Sequence, residues 1–124
     1  MKNNVGTKGE EVAKKYLEQK GFKILEKNYT NNFGRQLGEI DIIAKEKDVL
    51  VFVEVKTRNL QSYSGTLPEE NITQGKLRKL SKIANQYLYQ KKILDQPYRF
   101  DAISVWLDLE NNLAKVKHIE SIYL

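Results

Sequence analysis

The sequence predicts an α/β domain in which a central mixed sheet is flanked by helices. Its apolar residues form five short runs of strand character and two longer segments with helical spacing, in the order αβββαββ. A length of 124 residues is sufficient for one hydrophobic core. We therefore expect a single domain over residues 1–124.

Two segments have the spacing of amphipathic helices. The first is expected to run from Thr7, its N-cap, to Lys20, with Gly21 at the C-terminal cap. The second is expected to run from Thr73 to Lys91. Their apolar faces comprise Val12, Ala13, Tyr16 and Leu17 in the first helix, and Leu77, Leu80, Ile83, Ala84, Tyr87 and Leu88 in the second.

The strands are predicted from apolar or alternating runs that are bounded by polar segments. They are expected at residues 22–29, 40–44, 49–56, 99–107 and 114–119. Residues 45–48 join the second and third strands, and this short polar connection predicts a β-hairpin. The longer polar segments 28–37 and 59–70 are expected to be loops.

Composition restricts the chemistry that is open to this chain. Cysteine is absent, which excludes disulfides, thiol nucleophiles and thiolate zinc sites. No apolar run approaches the roughly 20 residues that span a bilayer, so we expect no membrane association and a cytoplasmic location. The net charge of +5 is compatible with a polyanionic partner such as nucleic acid.

Charged residues interrupt the apolar strands of the predicted hairpin. A tight turn at residues 47–48 pairs positions whose numbers sum to 95, which sets Asp41 opposite Glu54 and Glu39 opposite Lys56. Directly opposed residues have Cβ atoms about 4.5–5.5 Å apart, so two such carboxylates can share a cation. A register shift of two residues would keep all four charges on one face.

Two interpretations of these four charges are open. Cross-strand salt bridges on a solvated face are one, and a metal site is the other. Ile43 and Phe52 lie on the same predicted face and indicate burial, where three acids beside one lysine need a cation. This observation favours the metal site.

The pattern resembles the signature of the PD-(D/E)XK nuclease superfamily, an acid on one strand followed by acid-x-lysine on the next. It is most similar to the YraN-type endonuclease family, which is related to archaeal Holliday-junction resolvases. The matching blocks cover nearly the whole chain in order: Gly9-Glu10, GEID at 38–41, FVEVK at 52–56 and RFD at 99–101. Ile40 replaces the proline of the superfamily name. The resemblance implies a restriction-endonuclease-like αβββαβ core.

The resemblance also implies a role for each site residue. Asp41, Glu54 and Glu10 are similar to the metal-binding catalytic acids. The backbone carbonyl of Val55 would complete the ligand set. Lys56 resembles the catalytic residue that orients the attacking water and stabilises charge on the phosphate. Hard oxygen ligands, in a chain with no Cys and one His, imply Mg²⁺ or Mn²⁺.

Two of the acids have an alternative interpretation. Thr7-x-x-Glu10 is a capping-box pattern, which requires no function of Glu10. Glu39 either belongs to the site or simply pairs with Lys56.

Basic residues around the hairpin are candidates for nucleic-acid binding. Lys76 is predicted to project toward the sheet, and Arg58 and Arg35 lie near loops beside the hairpin, where they would contact backbone phosphates. His118 and Asp101 are expected to be structural.

The implied function is a Mg²⁺-dependent endonuclease that hydrolyses phosphodiester bonds of nucleic acid by attack of a metal-activated water. DNA, including branched DNA, is the expected substrate, and resolvase-like cutting would require a homodimer. The alternative is a catalytically weak or inactive nucleic-acid-binding module on a nuclease fold. A purely structural domain is a third hypothesis.

Overall fold

A computed structural model of the protein describes residues 4–30, 38–60, 74–93 and 95–122. The helices and strands follow the predicted order, and most of the strands extend one to three residues beyond the expected bounds. They are α1 (Asn4–Gln19), β1 (Lys23–Thr30), β2 (Glu39–Glu46), β3 (Val49–Asn59), α2 (Gln74–Gln90), β4 (Tyr98–Asp108) and β5 (Leu113–Ile119). The predicted α/β class and the αβββαβ core are confirmed.

The strands form one mixed sheet in the order β1-β2-β3-β4-β5. Neighbouring strands are antiparallel except β3 and β4, which are parallel. A parallel pair needs a long crossover, and here α2 lies within the segment that connects β3 to β4. The hairpin strand β3 is therefore the central strand of the sheet.

The predicted hairpin register is confirmed over five pairs, but the predicted pairs Asp41–Glu54 and Glu39–Lys56 are not part of the ladder. The pairs run from Ile42–Val53 to Glu46–Val49, so paired numbers sum to 95. The turn between the strands consists of Lys47 and Asp48, and Lys47 adopts a left-handed backbone with φ of 54°. The short loop thus sets which residues of β2 and β3 face each other.

Each face of the sheet is covered by one helix, and each helix has its own apolar cluster. The α1 side is built around Ala13, Leu17, Phe22, Ile42, Ala44, Val51, Val53, Val55, Ile103, Val105 and Leu107. The α2 side is built around Tyr29, Ile40, Ile43, Leu50, Phe52, Leu77, Leu80, Ile83, Ala84 and Tyr87. Successive strand residues mostly alternate between the two clusters, as a pleated sheet requires.

The two ends of α1 differ in how well the sequence predicted them. Gly21 has φ of 96°, and the amides of Phe22 and Gly21 donate to the carbonyls of Leu17 and Glu18. This pair of bonds is a Schellman cap, so the predicted C-terminus is confirmed. The predicted start is wrong, because α1 begins at Asn4 and Thr7 lies inside it.

The start of α1 bears on the interpretation of Glu10. A residue inside the helix has helical backbone angles and does not serve as the N-cap. The capping box from Thr7 to Glu10 is therefore not formed. The helix-capping explanation for Glu10 does not apply.

Candidate metal centre

Three carboxylates from separate parts of the chain meet at the start of β2. Glu10 lies on α1, and Glu39 and Asp41 lie on β2; one carboxylate oxygen of each lies within 4.8 Å of the others. Glu10 is 9% and Asp41 7% exposed to solvent. Three acids in this proximity repel one another unless cations or hydrogen-bond donors compensate them.

The local path of β2 brings its two acids to this place. Regular alternation would put Ile40 on the same face as Ile42, but Ile40 packs in the α2-side cluster with Ile43. The alternation is therefore interrupted at Asp41. Gly38, directly before the strand, has φ of 129°, a conformation that favours glycine.

The carboxylate of Asp41 is held by the backbone of β3. The β2–β3 ladder ends at the pair Ile42–Val53, and beyond it the amide of Val55 donates a 2.8 Å hydrogen bond to Asp41 Oδ2. The carboxylate of Asp41 thus accepts a hydrogen bond from an amide of β3 that lies beyond the end of the β2–β3 ladder. This contact orients Asp41 and stabilises its charged form.

Glu10 is brought into the cluster by close packing of α1 on β3. A Cβ added to Gly9 would lie 1.9 Å from Thr57 Oγ1 and 2.7 Å from Thr57 Cβ, so only glycine allows this approach. Asn28 Nδ2 donates a 3.1 Å hydrogen bond to Glu10 Oε1. Asn28 itself has a left-handed backbone with φ of 52° within β1, and its side chain reaches α1 through this bond.

Glu54 is buried beside this cluster and paired with two lysines. Its Oε1 lies 3.2 Å from Lys56 Nζ and 3.0 Å from Lys76 Nζ. Burial raises the pKa of Glu54, and the charge of Glu39 adds to the rise, while Lys76 and a hydrogen bond with Asp41 oppose it. The predicted proximity of Glu54 to Asp41 is thus supported, but Glu54 has ammonium partners of its own.

The chemistry of these donors fits a hard divalent cation. At the Mg²⁺ ligand distance of about 2.0–2.1 Å, opposite ligands lie about 4.0–4.2 Å apart and adjacent ones about 2.9 Å apart, so three carboxylate oxygens within 4.8 Å of one another can close on one ion. Glu10, Glu39 and Asp41 would be the first ligands, with Glu54 adjacent. Glu10, Asp41 and Glu54 are also buried, which limits competition from water.

A cavity of about 600 Å³ opens between the start of β2 and the start of α2. Acids line one side of it, namely Glu39, Asp41 and Glu54, and Lys76 and Lys79 line the other. A larger cavity of about 790 Å³ beside β5 is lined by Trp106 and Leu113, among others, with a single acid. Of these two cavities, the smaller one combines a metal-binding donor set with cations for an anionic substrate.

The remaining predicted site residues have mixed outcomes. Lys76 faces the sheet as predicted, but its ammonium pairs with Glu54. Arg58 Nη1 donates to the backbone carbonyl of Thr57 at 3.1 Å, and Arg35 lies outside the described residues. For Val55 the observed contact is made by the amide. Ligation by its carbonyl stays a prediction.

Sequence reasoning underestimated Glu39 and missed Asn28. Lys56, the alternative partner considered for Glu39, pairs with Glu54. Glu39 instead joins the three-acid cluster. Asn28 is 18 positions from Glu10 in the sequence, and no motif connects the two. Asparagine adopts left-handed backbone angles more readily than most residues, so an asparagine inside a predicted strand could have indicated this site.

A second polar network surrounds Asp101, which is fully buried. Its carboxylate accepts hydrogen bonds from Arg99 Nε at 3.0 Å and from the amide of Ser121 at 2.9 Å, and it lies 2.8 Å from His118 Nε2. Tyr16 OH lies 3.2 Å from the other ring nitrogen of His118. Burial alone would raise the pKa of Asp101, but the bonds from His118, Arg99 and Ser121 outweigh it and lower the pKa. These contacts agree with the structural role expected for Asp101 and His118.

The fold and the site together define an α/β protein with a restriction-endonuclease-like core and a largely buried acidic cluster at the start of β2. Within the described ranges, neither helix has the length and apolar character needed to cross a membrane. The chain belongs to a family described as "Uncharacterised protein family UPF0102", whose model matches residues 9–105. The matched segment begins at Gly9 and includes every acid of the site.

Three members of this family are similar to this chain over nearly their whole length. A UPF0102 protein of Clostridium beijerinckii is 39% identical over 123 residues, which cover 99% of this chain and 95% of the relative. One of Caldanaerobacter subterraneus is 44% identical over 119 residues, which cover 95% and 93%. One of Clostridium botulinum strain Kyoto is 44% identical over 121 residues, which cover 97% and 94%. The similarity to this family thus covers nearly the whole chain.

Proposed function

We propose that this protein is a divalent-metal-dependent endonuclease that hydrolyses phosphodiester bonds in nucleic acid. The observation that carries the proposal is the convergence of the Glu10, Glu39 and Asp41 carboxylates within 4.8 Å, beside the lysine-paired Glu54. Mg²⁺ or Mn²⁺ is the proposed cofactor. DNA, including branched DNA, is the proposed substrate, as the PD-(D/E)XK resemblance implies.

The acids of the site and the backbone of Val55 have separate roles in this proposal. Glu10, Glu39 and Asp41 would hold the cation, with Glu54 and the Val55 carbonyl as further ligands. When bound, the cation supplies an acidified water and neutralises charge on the phosphate. The amide of Val55 keeps Asp41 oriented through its 2.8 Å hydrogen bond.

Lys56 is the proposed catalytic cation. Its ammonium is 3.2 Å from Glu54 Oε1 and its side chain is 18% exposed, so it is both positioned and accessible to a substrate. There it hydrogen-bonds the attacking water and stabilises the charge that develops on the scissile phosphate. Electrostatic stabilisation of this kind contributes most when the donor is held in place before the reaction.

Basic groups around the cavity would bind the nucleic-acid backbone. Lys76 and Lys79 line the same cavity as the acids, and Arg58 lies on β3 two residues beyond Lys56. The net charge of +5 also favours binding of the anionic nucleic-acid backbone. Binding through phosphates weakens steeply with salt, because each contact releases condensed counterions.

One observation favours a second candidate, a nucleic-acid-binding module without turnover. Glu54 already has two ammonium partners, Lys56 and Lys76, so its charge is compensated without a metal ion. In this case only the three-acid cluster would bind cations, and the lysines would serve to hold the fold or the nucleic acid.

A nicking assay separates the two candidates. Wild type and Asp41→Asn protein are incubated with linear, flapped and four-way DNA and with RNA, in Mg²⁺, Mn²⁺ or EDTA. Asp41→Asn keeps the shape of the side chain but removes an anionic ligand. We expect it to lose at least about a hundredfold in rate, since metal-assisted hydrolysis depends on the bound ion.

Two further variants sharpen the assay. Lys56→Ala should retain most Mn²⁺ affinity, measured by calorimetry, but lose about a hundredfold or more in rate. Glu18→Gln is the matched control, because Glu18 is an exposed acid of the same helix as Glu10. It should behave as wild type.

The outcomes discriminate between the candidates. Cleavage by Asp41→Asn at the wild-type rate would place the activity elsewhere or in a contaminant. Salt-sensitive DNA binding without cleavage of any substrate would support the binding module. Resolvase-like cutting of four-way DNA additionally requires a dimer, which sedimentation on the same DNA would detect.

A further inference from the structure

Two ammonium groups share a single oxygen of a buried carboxylate. Lys56 and Lys76 both approach Glu54 Oε1, at 3.2 Å and 3.0 Å. The side chain of Glu54 is only 8% exposed, so removing its cations would leave a poorly solvated charge. This doubly paired oxygen belongs to the acid that stands beside the three-carboxylate cluster.

The two lysines are anchored differently. Lys56 is on the central strand β3, two residues beyond Glu54, and its side chain is 18% exposed. Lys76 is in the first turn of α2, and its side chain is 35% exposed. Lys76 is therefore the partner that can leave Glu54 with less loss of packing and with more compensation from water.

Glu54 Oε1 cannot accept a divalent cation while both lysines contact it. A carboxylate oxygen has two lone pairs, and the ammonium groups of Lys56 and Lys76 already lie 3.2 Å and 3.0 Å from this one, so they would compete with a cation and repel it. Coordination through Oε1 thus requires that one ammonium move away, and the more exposed Lys76 is the one that leaves. The cavity lined by Lys76 and Lys79 lies beside this position and would receive it.

We propose that Lys76 is an exchangeable counterion of the site: it neutralises Glu54 in the metal-free protein, is displaced when a divalent cation binds, and then contacts a substrate phosphate. This proposal rests on the proposed function and adds an order of events to it. The cation would thereby couple formation of the metal centre to formation of a phosphate contact. Metal and nucleic acid would each bind more tightly in the presence of the other.

The first test measures Mn²⁺ affinity by calorimetry without nucleic acid. Lys76→Met keeps the length of the side chain and removes the competing ammonium, so affinity should rise about threefold to tenfold, the range expected for a close charge pair. Lys82→Met is the matched control, because Lys82 is an exposed lysine further along the same helix. It should change the affinity less than twofold.

A double-mutant cycle distinguishes displacement from a general change in charge. A Glu54→Gln background removes the ion pair between Lys76 and Glu54, so Lys76→Met should leave Mn²⁺ affinity unchanged there. An equal gain in both backgrounds would overturn the proposal in favour of long-range electrostatics. If wild type binds Mn²⁺ and Lys76→Met does not increase affinity, this proposal fails while the metal centre stands.

The second test measures the phosphate contact. Affinity for a short DNA duplex is determined at one ionic strength, in EDTA and in Ca²⁺, which takes the same oxygen ligands. Lys76→Met should weaken binding about threefold or more in Ca²⁺ and have little effect in EDTA. An equal loss under both conditions would make Lys76 a metal-independent contact and overturn the exchange. Absence of Mn²⁺ binding by wild type would overturn the metal centre itself and this proposal with it.

Discussion

The contact between Gly9 and Thr57 predicts that Gly9→Ala will separate α1 from β3. Alanine would place its Cβ 2.7 Å from Thr57 Cβ, whereas ordinary contacts begin at 3.4 Å. Rotation of the Thr57 side chain can relieve the 1.9 Å and 2.5 Å contacts with Oγ1 and Cγ2, but Cβ moves only with the backbone. The helix must therefore shift by about 0.7 Å, the difference between 3.4 and 2.7 Å.

The expected loss of stability combines two opposing effects. Overpacking of this kind costs about 1–3 kcal/mol. Alanine in place of glycine inside a helix returns about 0.5–1 kcal/mol. The difference lies between about 0 and 2.5 kcal/mol, so the net loss should be about 1 kcal/mol, which lowers Tm by about 4 °C in a domain of this size.

The same shift should affect metal binding, because Glu10 follows Gly9 and its carboxylate belongs to the three-acid cluster. We expect Mn²⁺ affinity to fall severalfold, measured by calorimetry, alongside thermal unfolding followed by circular dichroism. Lys8→Ala, at the exposed preceding position of α1, is the matched control and should leave both quantities nearly unchanged.

A rescue variant tests the contact itself. Thr57→Gly removes Cβ together with Oγ1 and Cγ2, so Gly9→Ala should be less destabilising in that background, and the cycle should show a coupling of about 0.5 kcal/mol or more. If Gly9→Ala were as stable as wild type and bound Mn²⁺ equally well, α1 would not approach β3 as closely as described.

Two further predictions concern the dependence of stability on pH. Asp101→Asn should lower the free energy of unfolding at pH 7 by about 3 kcal/mol, because it weakens a buried charged network. The fold lowers the pKa of Asp101, so the ionised carboxylate contributes to the free energy of unfolding above the unfolded pKa of about 3.9. This contribution is lost as the pH falls through the folded pKa. In urea unfolding at a series of pH values, the free energy of unfolding of the variant should therefore fall less steeply toward acid pH. Burial raises the pKa of Tyr87 to about 12, so its contribution is complete below the unfolded pKa and is lost as pH rises through 12. Tyr87→Phe should remove that alkaline loss, and an unchanged alkaline limb would contradict the assignment.

The sequence predicted those features that depend on local rules. The hairpin register followed from a two-residue turn, because a short loop leaves few alternative pairings. The end of α1 followed from Gly21, because a left-handed residue closes a helix in a recognisable way. Both inferences involve residues that are close in the sequence.

The features that were not predicted depend on distant residues. Glu10 meets Asn28 across 18 positions, and Glu54 meets Lys76 across 22. Such contacts are set by how the helices pack on the sheet, which periodicity does not specify. The start of α1 was misplaced for a different reason. The sequence alone does not distinguish a threonine inside a helix from a threonine at its N-cap.

The parallel pairing of β3 with β4 has a consequence for the order of folding. The hairpin closes through a loop of two residues, whereas Val53 and its β4 partner Asp101 are 48 positions apart. Loop-closure entropy grows with length and slows the pairing of distant strands. The hairpin that carries Asp41 and Glu54 therefore forms early, while Lys76, which lies within the long crossover, arrives late. During that interval Glu54 has the ammonium of Lys56, which lies on the same hairpin, but not yet that of Lys76, so the site reaches its full charge balance only when the crossover completes the sheet.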